Sequence, residues 1–150
     1  MRVVIQKVLQ AQVEIEGKIH GKINRGLVIF VGIENADTQD DINWLVHKIK
    51  HLRIFNDANG QMNKSLLDIE GEVLIISQFT LHAKTKKGHR PSYIHAAKPD
   101  IAIPLYEAFI KKFKENFDQK VATGIFGAMM NVSLINHGPV TILIDTKHKE

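Results

Sequence analysis

Short apolar runs bounded by turn residues predict a series of β-strands along the chain. Residues 2–9 and 12–15 form the first strand region, and a turn at 16–18 leads into a returning strand over 19–23. Leu27–Val31 is a continuous apolar run between two glycines, which is typical of a strand buried on both faces. Three further strands are predicted over 73–80, 129–135 and 140–145.

Two segments show helical rather than strand periodicity. The first begins at Asp37 or Thr38, either of which can cap a helix. The second begins after Pro99-Asp100 and also carries apolar residues on one face. The apolar positions are Ile42, Leu45, Val46 and Ile49 in the first helix, and Ala102, Leu105, Tyr106, Phe109, Ile110 and Phe113 in the second.

The order of these elements predicts the fold class. Many strands and two amphipathic helices occur without strict βαβ alternation, so we expect an α+β fold with a largely antiparallel, barrel-like sheet. With 150 residues and no repeat or linker-like stretch, the chain is expected to form a single domain over 1–150.

Composition narrows the possible chemistry. The chain has no cysteine, so disulfides and thiolate catalysis are excluded. The apolar start is interrupted by polar residues and no apolar run is long enough to span a bilayer, so neither a signal peptide nor a membrane contact is expected. We therefore expect a cytoplasmic protein.

Positive charge is concentrated in one segment. The chain has 20 Lys and Arg against 16 Asp and Glu, a modest net charge of +4. Four of the basic residues lie within 84–90, and this segment could grip phosphates or simply be a solvated loop. These four are Lys84, Lys86, Lys87 and Arg90.

The first candidate for chemistry is the end of the strand predicted over 73–80. Its apolar pattern gives way to Ser77, Gln78, Phe79 and Thr80. Strand ends hold polar groups rigidly while leaving them accessible, as a binding or catalytic site requires. From this segment alone the more conservative interpretation is favoured, namely that the hydroxyls satisfy nearby backbone groups.

The second candidate is the segment 136–141, which contains Gly138-Pro139. A cis peptide bond costs little only before proline. The segment could be a simple hairpin turn or a rigid backbone hook whose carbonyl groups point into a pocket.

Histidines offer weaker candidates. His47 and His51 have the helical spacing of a metal-binding pair, but no third ligand is evident. His82, His89 and His95 lie around the basic segment, where RNA contact or simple exposure is favoured. We expect no metal and no cofactor.

Taken together, Ser77-Gln78-Phe79-Thr80-Leu81 and Asn136-x-Gly138-Pro139-x-Thr141 resemble the two signature motifs of D-aminoacyl-tRNA deacylases. Both motifs occur at the separation expected in that family, and the likeness extends over the whole chain. It includes Arg90-Pro91-Ser92-Tyr93 and the segment 123–130.

The resemblance implies the fold of these deacylases and a homodimer that acts in chiral proofreading during translation. Each subunit would insert its Gly138-Pro139 hook, with a cis peptide bond, into the partner's pocket beside Ser77–Thr80. The substrate would be the ester between a D-amino acid and the terminal adenosine of tRNA. Glycine lacks a Cβ, so glycine misattached to alanine tRNA would also be accepted. No DNA partner is implied.

The resemblance also implies roles for individual residues. Backbone N–H groups around Phe79 and Thr80 would stabilise the oxyanion, and the 2′-hydroxyl of the terminal ribose would assist the attacking water. Thr80 would only hydrogen-bond near the reacting carbonyl, because no partner base is evident. Gln78 would brace the site. The residues expected to form the pocket and select the substrate are Gly138, Pro139, Asn136, Thr141, Met130, Phe126 and Lys7.

Two positions depart from the family pattern. His137 stands where aspartate is common, and Lys7 stands where arginine is expected. If residue 7 locks the hook, an ammonium is a looser clamp than a guanidinium fork, so selectivity would differ from the family norm.

Three other functions are compatible with parts of the sequence. A non-catalytic RNA-binding module would use 84–90 as a phosphate grip, and a metal-dependent hydrolase would use the histidines. A purely structural dimer is the third, but it would leave the pairing of the two motifs without a purpose.

Overall fold

The sheet is organised around its first strand, β1 (Arg2–Ile15). The computed structural model describes residues 1–149. The other strands are β2 (Lys18–Ile23), β3 (Gly26–Gly32), β4 (Phe55–Asn56), β5 (Met62–Lys64), β6 (Glu72–Ser77), β7 (Val121–Thr123) and β8 (Asn131–Asp145). The helices are α1 (Gln39–His51) and α2 (Pro99–Lys114), and a 3-10 turn spans Phe79–His82.

Strand β1 is long enough to serve two neighbours on one side. Its first half pairs with β3 and its second half with β2, whereas β8 pairs along its other side, all antiparallel. Strands β3, β6 and β7 continue the sheet in parallel. The predicted α+β barrel-like fold is confirmed, with a sheet that is mixed rather than purely antiparallel.

The sheet curls until its two ends nearly meet. Strand β2 approaches β7 so closely that a Cβ added to Gly21 would lie 3.2 Å from the carbonyl oxygen of Thr123. Only glycine fits there without displacing backbone, so this position allows the sheet to approach closure.

Both faces of β3 are buried, which explains its unbroken apolar run. Val28 packs inside the curl with Leu74 and Ile76, whereas Leu27 and Ile29 face the helices. The helical layer supplies, among others, Leu45, Ile49, Tyr106, Phe109 and Phe113 to the core.

The first helix begins as predicted at Thr38. The Thr38 backbone N–H donates to the Asp41 carboxylate at 2.9 Å, which satisfies one of the free groups at this helix end. The start of the first helix therefore agrees with the sequence prediction, whereas α2 begins at Pro99 itself and not after Pro99-Asp100.

Two strand predictions were wrong. The strand predicted over 73–80 ends at Ser77, and the chain turns at Phe79–His82. The strands predicted over 129–135 and 140–145 are one strand, β8, whose two halves both pair with β1. Residues 136–139 therefore do not form a hairpin turn, because the chain does not reverse direction there.

A buried ion pair joins the first residue to the loop before α1. The Met1 ammonium donates to the Asp37 carboxylate and to Thr146 Oγ1, the latter at 2.9 Å. The Asp37 side chain is fully buried and also accepts from the Glu34 backbone N–H at 2.8 Å. This carboxylate therefore ties the start of β1 to the start of the helical layer.

Removal of the Asp37 charge should strongly destabilise the fold. We expect Asp37→Asn to lower the free energy of unfolding by about 3–5 kcal/mol, because it removes the fully buried carboxylate from the Met1 ammonium and leaves only the partly exposed Glu34, at 3.7 Å, as a counter-charge. Urea denaturation followed by circular dichroism measures this change. Asp40→Asn, on the exposed first turn of α1, is the control and should cost about 1 kcal/mol or less. Equal losses in the two variants would contradict this assignment.

Candidate active site

A cleft of about 390 Å³ lies where the parallel strands β3 and β6 end. Its walls come from these strand ends, the following turn, the start of α2 and the loop before β8. The lining residues are Val31, Ile33, Ile76, Ser77, Gln78, Phe79, Ala97, Ala102, Phe126, Gly127, Ala128, Met129, Met130 and Val132. The cleft is therefore mostly apolar, with its polar groups concentrated at Ser77 and Gln78.

The turn after β6 presents two backbone donors beside the cleft. The Gln78 N–H donates to the Val31 carbonyl at 2.7 Å, which fixes the start of the turn against β3. The next two N–H groups, of Phe79 and Thr80, open the 3-10 turn and donate to no oxygen atom within residues 1–149. Rigid, unoccupied N–H groups of this kind can stabilise an oxyanion.

Thr80 is held by an amide rather than by a base. The Gln78 Nε2 group donates to Thr80 Oγ1 at 2.5 Å, so the threonine oxygen accepts while its own proton stays available to donate. The nearest histidine in sequence, His82, is buried, and its Nε2 has no hydrogen-bond partner among the described residues. This geometry suits a hydrogen-bonding role for Thr80 better than a nucleophilic one.

The opposite wall depends on close packing around Gly124. A Cβ added there would lie 2.4 Å from Met130 Sδ, so glycine lets Met130 pack against the strand. The Phe126 ring packs on Tyr106 with 5.8 Å between centroids. Tyr106 donates to the Ile75 carbonyl at 3.0 Å, and burial raises the pKa of this phenol well above its ordinary value. The phenol therefore serves as a fixed, neutral support.

Gly138-Pro139 lies in an outward bulge of β8. Asn136 pairs with Val8 and Thr141 pairs with Gln6, so the four residues between them stand opposite the single residue Lys7. The Gly138-Pro139 peptide bond is cis, and Gly138 has φ +133°, a backbone conformation that L side chains rarely adopt. Both residues are exposed. We call residues 137–140 the hook.

A polar cluster at the base braces the hook. The Asn136 Oδ1 atom accepts from the Val140 N–H at 3.1 Å, across the bulge. The Asn136 Nδ2 group donates to Thr141 Oγ1 at 3.1 Å and also to Gln6 Oε1, which receives the Thr141 hydroxyl as well. Gln6 was missed as a site residue, because its contact with the base of the hook joins residues 130 positions apart in the sequence.

Lys7 occupies the other face of β1. Its ammonium donates to the Ile54 carbonyl and to Asn56 Oδ1, both at 3.1 Å, and lies 5.8 Å from the centre of the Phe55 ring. Burial, and then the charge of Arg25, lowers the pKa of this ammonium. The sequence raised the possibility that Lys7 hydrogen-bonds the hook directly. No such bond occurs within residues 1–149, because alternation along β1 points the Lys7 side chain toward the core.

Comparison with known proteins identifies the family of this chain. A sequence profile described as D-Tyr-tRNA(Tyr) deacylase matches residues 4–145, which includes the cleft, the turn and the hook. The chain belongs to this deacylase family.

Relatives agree with this family, and solved structures share the fold. D-aminoacyl-tRNA deacylases of Flavobacterium psychrophilum and Flavobacterium johnsoniae are 61% and 57% identical over the full length of both chains. A structure titled c-Myc DNA Unwinding Element Binding Protein is 35% identical, covers 97% of this chain and 98% of its own, and superposes with a TM-score of 0.92. A probable eukaryotic D-amino acid tRNA deacylase shares the fold at 19% identity, with coverages of 95% and 97% and a TM-score of 0.81.

The structure brings part of the predicted deacylase site together within one chain. Ser77, Gln78, Phe79, Phe126 and Met130 line the same cleft, and Thr80 adjoins it through Gln78. The second predicted group, which consists of Asn136, Gly138, Pro139 and Thr141, lies outside the lining of that cleft. The basic residues Lys84, Lys86, Lys87 and Arg90 are all exposed.

The histidines do not assemble a metal site within residues 1–149. His47 and His51 stack at 4.2 Å between ring centroids on the exposed face of α1, and His51 Nδ1 hydrogen-bonds the His47 carbonyl. No group of three or more metal-ligating side chains occurs in this described part of the deacylase. Likewise, no helix described there is long and apolar enough to cross a membrane.

Proposed function

We propose that this chain hydrolyses the ester that joins a D-amino acid to the terminal adenosine of tRNA, and that it does so as a cytoplasmic homodimer. The observation that carries the proposal is the braced, exposed Gly138-Pro139 hook, which lies outside the lining of its own cleft. A rigid, exposed backbone bulge has a clear use if it completes the cleft of a second copy.

Insertion of the hook would make the pocket stereoselective. The backbone carbonyls of the hook would occupy the volume that an L side chain needs, whereas a D side chain would point elsewhere. A steric clash rejects the wrong enantiomer more strongly than a missing contact could. Glycine has no Cβ to clash, so glycine misattached to alanine tRNA would also be hydrolysed.

The chemistry we propose needs only water, the substrate and backbone donors. Water attacks the ester carbonyl, the Phe79 and Thr80 N–H groups stabilise the tetrahedral oxyanion, and the ribose oxygen leaves with a proton. The 2′-hydroxyl of the same ribose assists the water. The apolar walls formed by Phe126 and Met130 support this step, because hydrogen bonds to an oxyanion strengthen when water is excluded.

The basic segment supplies a grip on the acceptor end of tRNA. Lys84, Lys86, Lys87 and Arg90 are exposed on the loop that follows the 3-10 turn, so they can reach phosphates close to the cleft. Contacts to phosphate carry no sequence information, and several tRNAs should therefore serve as substrates.

The direct test is release of the amino acid from charged tRNA by the purified chain. We expect D-tyrosyl-tRNA and glycyl-tRNA to be hydrolysed with EDTA present and L-tyrosyl-tRNA to be spared. Loss of activity in EDTA and recovery with added metal would instead support a metal-dependent hydrolase. Salt-dependent tRNA binding without turnover would support an RNA-binding module. A chain that sediments as a monomer yet discriminates fully between D and L substrates would contradict the hook in trans.

A variant at the base of the hook tests the mechanism of selection. Gln6→Ala removes the carbonyl that accepts from both Asn136 and Thr141, so the hook should become looser. We expect the ratio of kcat/KM for L-tyrosyl-tRNA over D-tyrosyl-tRNA to rise about tenfold, since loss of roughly 1.4 kcal/mol of discrimination gives this factor. Gln12→Ala, elsewhere on β1, is the control. A uniform fall on both substrates would show that Gln6 serves only stability.

A second variant separates the two mechanisms considered for Thr80. We expect Thr80→Ala to lower kcat for D-tyrosyl-tRNA by about tenfold or less, because the variant keeps the backbone N–H groups and loses only one hydroxyl. If Thr80 were a covalent nucleophile, kcat would fall by three orders of magnitude or more, with tRNA binding unchanged. Single-turnover kinetics distinguishes these outcomes.

A further inference from the structure

One stretch of the chain next to the cleft contains no acidic side chain. Between Glu72 and Asp100 the sequence carries five Lys and Arg and not one Asp or Glu. The stretch runs from β6 through the 3-10 turn and the basic segment to the start of α2. Its charge favours an anionic partner of extended shape, such as a nucleic acid strand.

Two aromatic rings lie between the cleft and this basic segment. The Phe79 ring lines the cleft, and the Tyr93 ring packs against it edge to face, with 5.0 Å between centroids. Phe79 is 55% exposed and Tyr93 is 38% exposed, so both present surface to solvent. We call this pair the aromatic platform. Tyr93 lies one ring farther from the cleft than Phe79.

The platform is held rigidly by backbone hydrogen bonds. Lys84 and Ser92 exchange two of them, at 2.8 and 3.0 Å, which closes the base of the loop that carries the basic segment. The Tyr93 carbonyl accepts from the Ala96 N–H at 3.0 Å, and the Ala97 N–H donates to the Ile33 carbonyl at 2.9 Å. These bonds fix the backbone that carries Tyr93, and the contact with Phe79 supports its ring, so little conformational freedom is lost when a ligand stacks on it.

We propose that Tyr93 stacks with the unpaired base immediately 5′ of the terminal adenosine of tRNA, while the basic segment holds the phosphates of the same strand. This inference rests on the proposed function, because it takes the cleft to be the place where the terminal adenosine and its ester bind. Exposed aromatic rings beside positive charge are the usual means of binding single-stranded RNA, and stacking requires no particular base.

Charge favours RNA over a protein partner on this face. A second copy of the chain would bring the same five positive residues with it, and like charges brought face to face oppose association. An acidic strand of phosphates has the complementary charge. The exposed Ile94, which follows Tyr93 and is 78% exposed, provides a probe for the protein alternative.

The test compares two substrates that differ only by the preceding nucleotides. One is the D-tyrosyl ester of adenosine, and the other is the D-tyrosyl ester of the trinucleotide CCA. We expect Tyr93→Ala to raise KM about tenfold for the trinucleotide ester and to leave kcat/KM for the adenosine ester within twofold, whereas Tyr93→Phe behaves as wild type on both. Ile19→Ala, at another exposed apolar residue, is the control.

A binding measurement separates this inference from the proposed function. Fluorescence anisotropy of a labelled, uncharged CCA-ended RNA should show about tenfold weaker binding for Tyr93→Ala. If the wild-type chain hydrolyses neither ester yet shows this loss of binding, the base contact stands and the proposed function fails.

Three outcomes would overturn the inference. Equal losses on both esters would mean that Tyr93 acts only through Phe79. Unchanged kinetics and binding in Tyr93→Ala would mean that no base stacks there. If Ile94→Asp converts a dimer into monomers in sedimentation, this face is an interface between copies of the chain.

Discussion

The antiparallel pairing of β1 with β8 is the constraint on which the rest of the structure depends. It joins the two ends of the chain, and β8 keeps pairing with β1 on both sides of the interruption at 137–140. Because Asn136 and Thr141 stay paired with Val8 and Gln6 while the register shifts between them, the extra residues can only bulge outward. A cis peptide bond and a left-handed glycine then shape the bulge, and the cluster of Gln6, Asn136 and Thr141 braces its base. The position of the hook is therefore set by the pairing of β1 with β8 and not by an independent loop.

Because side chains alternate along β1, neighbouring residues of this strand face two different environments. Gln6 faces the hook and supplies an acceptor to it, whereas Lys7 points the other way and binds the carbonyl of Ile54. A substitution at residue 7 can therefore affect the hook only through the backbone or through the segment around Phe55. This separates Lys7 from direct hydrogen bonding to the hook, even though Lys7 is the residue opposite the bulge.

The polar groups of the cleft result from the abrupt end of strand β6. Strand β6 satisfies its backbone groups within the sheet as far as Ser77, and the change to a 3-10 turn leaves the N–H groups of Phe79 and Thr80 without acceptors in the described chain. These two N–H donors thus lie beside apolar walls, where hydrogen bonds to a developing charge are strongest. The aromatic platform extends from the same turn, so positioning of the reacting ester and contact with the preceding nucleotide would share one rigid support.

The sequence by itself determined the helices, most strands, the α+β class and the two segments that carry the site, because hydrophobic period, caps and a Gly-Pro pair act over a few residues. The family likeness of these segments also came from the sequence alone. Tertiary structure decided what those segments become: 79–82 turns instead of extending β6, and 136–139 bulges from one strand instead of joining two. It also decided that Gln6 braces the hook while Lys7 does not. These outcomes depend on contacts between residues 47 to 135 positions apart, and no local pattern records which face of a strand meets which partner.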